Sequence, residues 1–290
     1  MMNKKESKKS WGVVSGTWGD VICQLGYVQK SGIKNILYYG GSHPVMYEFL
    51  KAQSFIETLE VAYCKDLKNF MATNRLLMRK STFSEGMEIA LEGHSLSANM
   101  FSPTSAIMDD NNADPSEIPI ARNLKVPADC YAWADQIASQ LNDDFYIIQP
   151  YSINSTTREA HWPHWHELIQ WLAGDFSRDY VIAGSGWDAG LYKGFMHMRN
   201  MVDQFPTVCH LYALAERSKG VITTSNSLAH WCVSQHIPVT VIANIISSEP
   251  NYFFRKVLQG DHVHNFTYYA SLQRISFALH ERWGIWPSEA

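Results

Sequence analysis

Apolar and polar positions along this chain repeat with two periods that alternate. Residues 11–15 read as a short buried strand, and residues 20–30 carry Val21, Leu25 and Val28 at helical spacing. Gly32 ends that helix, and residues 36–39 read as the next strand. A helix over 43–51 and a third strand over 60–63 complete a βαβαβ rhythm, which predicts a parallel sheet covered by helices. A helix over 127–141 closes this half. The rhythm then resumes with strands at 145–149, 180–183, 220–223 and 239–243, and helices at 163–172, 207–218, 228–235 and 268–283. The fold class expected is α/β, with two Rossmann-like parallel-sheet domains in tandem and a boundary near residue 142. Open α/β sheets bind ligands at the carboxyl ends of their strands, so two such sheets facing each other would share one cleft.

Residues 81–127 break the rhythm. They contain "FSPTSAIMDDNNADPSEIP" and read as an irregular excursion. Asp109, Asp110 and Asp114 lack the glycine and the terminal glutamate of an EF-hand loop, so they read as a solvated loop.

Composition narrows the function classes. The 290 residues are 46% apolar, enough for a sizeable core, and the net charge of -4 gives no reason to expect nucleic acid as a partner. The first ten residues, "MMNKKESKKS", are basic without an apolar stretch; they read as a disordered tail with at most peripheral membrane contact. No run of about 18 apolar residues predicts a membrane span. Five cysteines without CxxC spacing read as reduced thiols in or near the core, which suits a cytoplasmic protein, and no structural zinc site is expected.

Four stretches carry candidate chemistry. In "VVSGTWGDVICQLGYVQKSG" a strand crosses Gly16 and Gly19 and enters a helix at Asp20. The glycines permit close backbone approach. Asp20 is either a first-turn capping acid or a base that takes a proton from a bound hydroxyl. In "QPYSINSTTREAHWPHW" a strand is followed by Ser152, Ser155, Thr156, Thr157 and Arg158, a set that suits phosphate oxygens or a capped turn. His161, His164 and His166 lack the spacing of a metal site. In "GVITTSNSLAHWCVSQHIPVTVI" a buried strand runs into Ser225, Asn226 and Ser227 at a helix start, with His230 one turn in. That is either an anion site or a plain cap with a core histidine. Gly184 and Gly186 in "AGSGWDAG" follow a strand as cleft backbone, a weak signal alone.

In this order, "SGTWGDVICQLGYV", "STTREAHWPHWHELIQWL" and "TSNSLAHWCVSQHIPVTVI" resemble the heptosyltransferase family of GT-B glycosyltransferases, the ADP-heptose:lipopolysaccharide type. The resemblance covers residues 12–40 and 145–243. It departs from the family at Ser225, where the family carries an acid.

The resemblance implies a GT-B arrangement. A basic tail (1–10) would precede an acceptor-side domain over 11–142, with the final helix (268–290) packing back on it. A nucleotide-sugar domain would cover 143–267. Asp20 would be the general base, and Arg158 with Ser155, Thr156 and Thr157 would hold the donor diphosphate. Ser225, Asn226, Ser227 and His230 would present a helix start to the same group, and Glu249 would contact the nucleoside. The implied activity is an inverting, metal-independent sugar transfer from a nucleotide-diphosphate sugar to a glycan or other hydroxyl acceptor. No cofactor beyond that co-substrate is expected. A non-catalytic nucleotide- or glycan-binding protein is the first alternative. A nucleotide-sugar epimerase or hydrolase is the second, with Glu159, Asp188 or Glu249 as added acid-base groups.

Overall fold

A computed structural model describes residues 10–39, 44–62, 75–77, 119–151, 161–184, 198–245 and 260–286. The aspartates 109, 110 and 114 and the basic tail lie outside these residues. The chain divides into two compact units, Met1–Lys125 and Val126–Ala290.

The first unit opens with β1 (Ser10–Ser15), α1 (Trp18–Ser31), β2 (Asn35–Tyr39), α2 (Pro44–Lys51) and β3 (Thr58–Ala62). A short β4 (Arg75–Leu77) completes a sheet of order β3-β2-β1-β4. All its pairs are parallel, and Gly12 faces both Ile36 and Leu77. Val21, Ile22, Leu25 and Val28 form the buried stripe of α1, as the 3.6-residue period predicts. Trp18 meets Phe49 of α2 edge-on at 5.4 Å.

Residues 119–125 return to this unit, held by two side-chain amides. Gln29 donates to the Arg122 carbonyl and accepts from its N–H, each at 2.8 Å. Gln53 does the same for Lys125, at 2.7 and 3.0 Å. A Cβ on Gly26 would stand 2.1 Å from the Pro119 carbonyl oxygen, so this crossing of α1 requires glycine.

The second unit contains α3 (Ala128–Ala138), β5 (Phe145–Gln149), α4 (Trp165–Leu172), β6 (Asp179–Ile182), β7 (Met198–Asn200) and α5 (Val208–Ala215). It continues with β8 (Gly220–Thr224), α6 (Ser227–Gln235), β9 (Val239–Ile242), β10 (Val263–Phe266) and α7 (Leu272–Trp283). The sheet order is β10-β9-β8-β5-β6-β7, parallel throughout. One face packs on α4 and α7, where Trp162, Trp165, Leu168, Ile169, Leu172, Ile275 and Leu279 share a core. Helix α5 is buried from Cys209 to Ala215.

Two boundaries differ from the sequence expectation. The chain divides after Lys125 and not near 142, because α3 packs on α5 of the second unit, with Cys130, Ala134 and Ile137 buried. The final helix was expected to pack back on the first domain. Its buried residues Ile275 and Leu279 belong to the second unit's core, and the Trp162 indole donates to the Ala270 carbonyl at 2.8 Å just before it. That helix also begins at Leu272, capped by Ser271, and not at 268. No helix among the described residues is long and apolar enough to cross a membrane.

Candidate functional site

Each sheet has one point where the strand order reverses. In the first unit, β2 and β3 lie on one side of β1 and β4 on the other. The loop leaving β1 therefore stands at the position where open α/β sheets take ligands. Gly16 sits there with a φ of +96°, a left-handed backbone that only glycine adopts cheaply. A Cβ at Gly16 would also stand 2.7 Å from Asp20 Oδ2.

Asp20 is the third residue of α1. Its Oδ2 accepts from the Thr17 N–H at 2.9 Å and from the Thr17 hydroxyl at 2.8 Å. This is the capping-box geometry, so the carboxylate has a structural role in holding the turn. It also fixes a negative charge beside the carboxyl end of β1. Burial, and secondarily that charge, push the Cys23 thiol up. Gly19 lies in the first turn of α1, and of the two glycines Gly16 is the one with a positive φ.

In the second unit the reversal falls between β5 and β8, which pair in parallel from Tyr146–Gly220 to Gln149–Thr223. Their carboxyl ends are bridged by a polar cluster. The Asn226 amide donates to Gln149 Oε1 and to Thr223 Oγ1, both at 3.0 Å. The Thr223 hydroxyl donates to the Gln149 carbonyl at 3.0 Å. Asn226 Oδ1 accepts from the Ala229 N–H at 3.2 Å, which caps α6.

The Asn226 side chain is thereby committed to holding the turn, which matches the plain-cap reading for that residue. The first N–H groups of an α-helix have no carbonyl acceptor in the preceding turn, and helix starts in general are places where anions are bound. Ser225 is buried just before the cap, and Ser227 opens the helix. The Thr224 hydroxyl, in the last residue of β8, is buried without a hydrogen-bond partner among the described residues.

His230 is 7% exposed, and burial lowers its pKa to about 4. It is a neutral imidazole at physiological pH. It can serve a phosphate as a hydrogen-bond donor but not as a cation.

Beyond Gln149 the chain passes Pro150 and Tyr151. Ser155, Thr156, Thr157, Glu159 and Arg158 lie outside the described residues, as do Gly186, Asp188 and Glu249. Gly184 follows β6, and its carbonyl accepts from the Asp203 N–H at 3.2 Å. His161 is buried, meets Tyr151 edge-on at 4.8 Å, and its Nδ1 has no partner among the described residues. His164 and His166 are exposed; His164 pairs with Glu167 at 3.8 Å and His166 bonds Gln170 at 2.9 Å. The three histidines thus do not converge.

Gln149 is the residue sequence reasoning passed over. Its place at the end of a central strand is visible in the sequence, but its pairing with Asn226 spans 77 residues.

No family model and no curated protein matches the chain. Solved structures do. A family 9 glycosyltransferase from Veillonella parvula superposes with a TM-score of 0.60 at 15% identity, over 97% of this chain and 93% of that one. E. coli ADP-heptose lipopolysaccharide heptosyltransferase II gives 0.60 at 13% identity, over 89% and 90%. An E. coli heptosyltransferase solved with ADP gives 0.52 at 12% identity, over 94% and 99%. The chain is thus similar in fold to solved heptosyltransferases of the GT-B class along nearly all its length.

Proposed function

We propose that the protein is an inverting glycosyltransferase, with no metal ion in the transfer step, that moves a sugar from a nucleotide-diphosphate sugar to a hydroxyl of a glycan or other acceptor. The observation that carries this reading is topological. On a chain with this fold, a carboxylate stands at the reversal point of one sheet and a capped helix start stands at the reversal point of the other.

In this reading Asp20 takes the acceptor proton as its oxygen attacks the sugar carbon. The first-turn N–H groups of α6, with Ser225, Ser227 and a neutral His230, meet the departing diphosphate together with Arg158, Ser155, Thr156 and Thr157. Fixed donors aimed at the leaving oxygens stabilise the charge that develops there. The solved neighbours named for ADP-heptose make an ADP-sugar the first donor to try. The acidic position occupied by Ser225 leaves the sugar to be decided by assay.

The test is a melting experiment with ADP, GDP, UDP, CDP and dTDP, with and without EDTA. A diphosphate at about 100 times its dissociation constant should add roughly 2.7 kcal/mol of stability. The shift should survive EDTA and vanish in Arg158→Ala. Asp20→Asn should keep the shift while transfer from the matching donor falls on the order of 100-fold or more. Absence of a shift with any diphosphate would end this reading.

One observation favours a second reading, a non-catalytic nucleotide- or glycan-binding protein. Asp20 already has a structural task in capping α1. That reading expects donor binding in the wild type and in Asp20→Asn alike, and turnover in neither.

A further inference from the structure

The second unit contains a cluster that the proposed transfer reaction does not use. Asp129 and Cys130 stand in the first turn of α3, and His210 stands in the first turn of α5. One ligand atom from each lies within 4.8 Å of the other two. Cys130 Sγ is 3.6 Å from His210 Nδ1 and 3.9 Å from Asp129 Oδ1. A tetrahedral zinc site, with bonds of about 2.3 Å to sulfur and about 2.1 Å to nitrogen, places those two atoms about 3.6 Å apart. Cys130 is 2% and His210 8% exposed, while Asp129 reaches solvent.

The surroundings suit ligation. His210 Nδ1 faces two groups at once, the Cys130 sulfur and the Thr207 hydroxyl at 2.8 Å. A neutral imidazole nitrogen offers one lone pair or one proton, so ligation through Nδ1 replaces its hydrogen bond to Thr207. The Trp133 ring stands edge-on to His210 at 5.3 Å and fixes the plane of the imidazole.

We propose that Asp129, Cys130 and His210 form a binding site for a zinc-class divalent cation that clips α3 to α5. Sulfur, imidazole and carboxylate together suit zinc or cobalt(II) and not calcium or magnesium. Binding forms the metal–sulfur bond as the Cys130 proton passes to solvent, and no redox partner is involved. A water molecule fills the fourth position on the side of the exposed Asp129. None of these residues belongs to the candidate donor site, so this site and the transferase reading stand or fall separately.

The experiment uses the full-length protein, reduced, stripped with EDTA and titrated with cobalt(II). The expected result is one cobalt per chain, with a thiolate-to-cobalt band in the near ultraviolet and displacement by zinc. Cys130→Ser should abolish the band, and Cys23→Ser should leave it. Asp129→Asn, at an exposed position that leaves the fold intact, should weaken cobalt binding by about ten-fold. A wild-type protein that shows no thiolate band at millimolar cobalt overturns the proposal. So does a band that persists in Cys130→Ser, or an affinity unchanged in Asp129→Asn. If Cys130→Ser does not fold, the wild-type band and the Asp129→Asn affinity decide the matter.

Discussion

The two ends of the second sheet are built on opposite plans. At the amino-terminal end, the buried Asp175 accepts from the Ser177 N–H and hydroxyl, from Arg178 at 2.7 Å and from the Tyr180 hydroxyl at 2.9 Å. Burial alone would raise that carboxyl, but these donors outweigh it and hold its pKa below the usual range. Arg178 reaches on to the Gly284 carbonyl at 3.2 Å, and Trp283 stands 5.2 Å from Tyr146. A Cβ on Gly220 would stand 3.0 Å from the Trp283 ring, so that end is packed shut.

At the carboxyl end, the Thr224 hydroxyl has no partner among the described residues, and α6 presents a capped start. The four donors on Asp175 stabilise the amino-terminal end, where Arg178 Nε has no partner among the described residues. Unmet polar groups lose stability and have bonding capacity left for a ligand. The contrast sets an end filled by an ion pair and a tryptophan ring against an end formed by a capped helix start.

Three substitutions can break or sharpen that contrast. The largest effect is expected for Asp175→Ala, which removes a buried carboxylate with four donors on it and leaves the half-buried Arg178 without its partner. It should cost about 3 kcal/mol in urea denaturation and leave the affinity for a bound diphosphate unchanged. A loss under about 1 kcal/mol would mean that the network is not what holds this end.

Next comes acid sensitivity from His230. Its folded pKa of about 4 lies below an unfolded value of about 6.5, so the unfolded chain takes up the proton first. The contribution of His230 is present above about pH 6.5 and is lost progressively as the pH falls towards 4. Between pH 7 and pH 5 the wild type should lose about 2 kcal/mol relative to His230→Gln, read from paired denaturation curves. Parallel curves for the two proteins would place His230 in contact with water.

The smallest stability effect is expected for Asn226→Ala, about 1 kcal/mol for a lost cap. Its ligand effect should be the larger one, with diphosphate binding weakened by about ten-fold, since the helix start loses its tie to Gln149. An unchanged diphosphate affinity would detach the helix start from the donor site.

The central strands were legible because each is buried on both faces: β5, β8 and β9 read as continuous apolar runs with small or β-branched residues. The strands that went unread, β4, β7 and β10, are all sheet edges. An edge strand has one partner and is short, so its sequence need not be uniformly apolar, as Met198–Asn200 and Val263–Phe266 show. The capping acid Asp20 and the capping Asn226 were legible because a cap is a local interaction over three residues.

The amino-acid sequence by itself determined the parallel α/β class, the central strands, the buried stripe of α1 and the two strand-to-helix turns that carry candidate chemistry. These depend on periodicity and on contacts within a turn. Tertiary structure alone decided that Gln29 and Gln53 return residues 119–125 to the first unit, and that Gln149 meets Asn226. It alone brought Cys130 to His210 across 80 residues. Those pairings join positions that no local pattern relates, and only the packing of strands and helices into a sheet places them side by side.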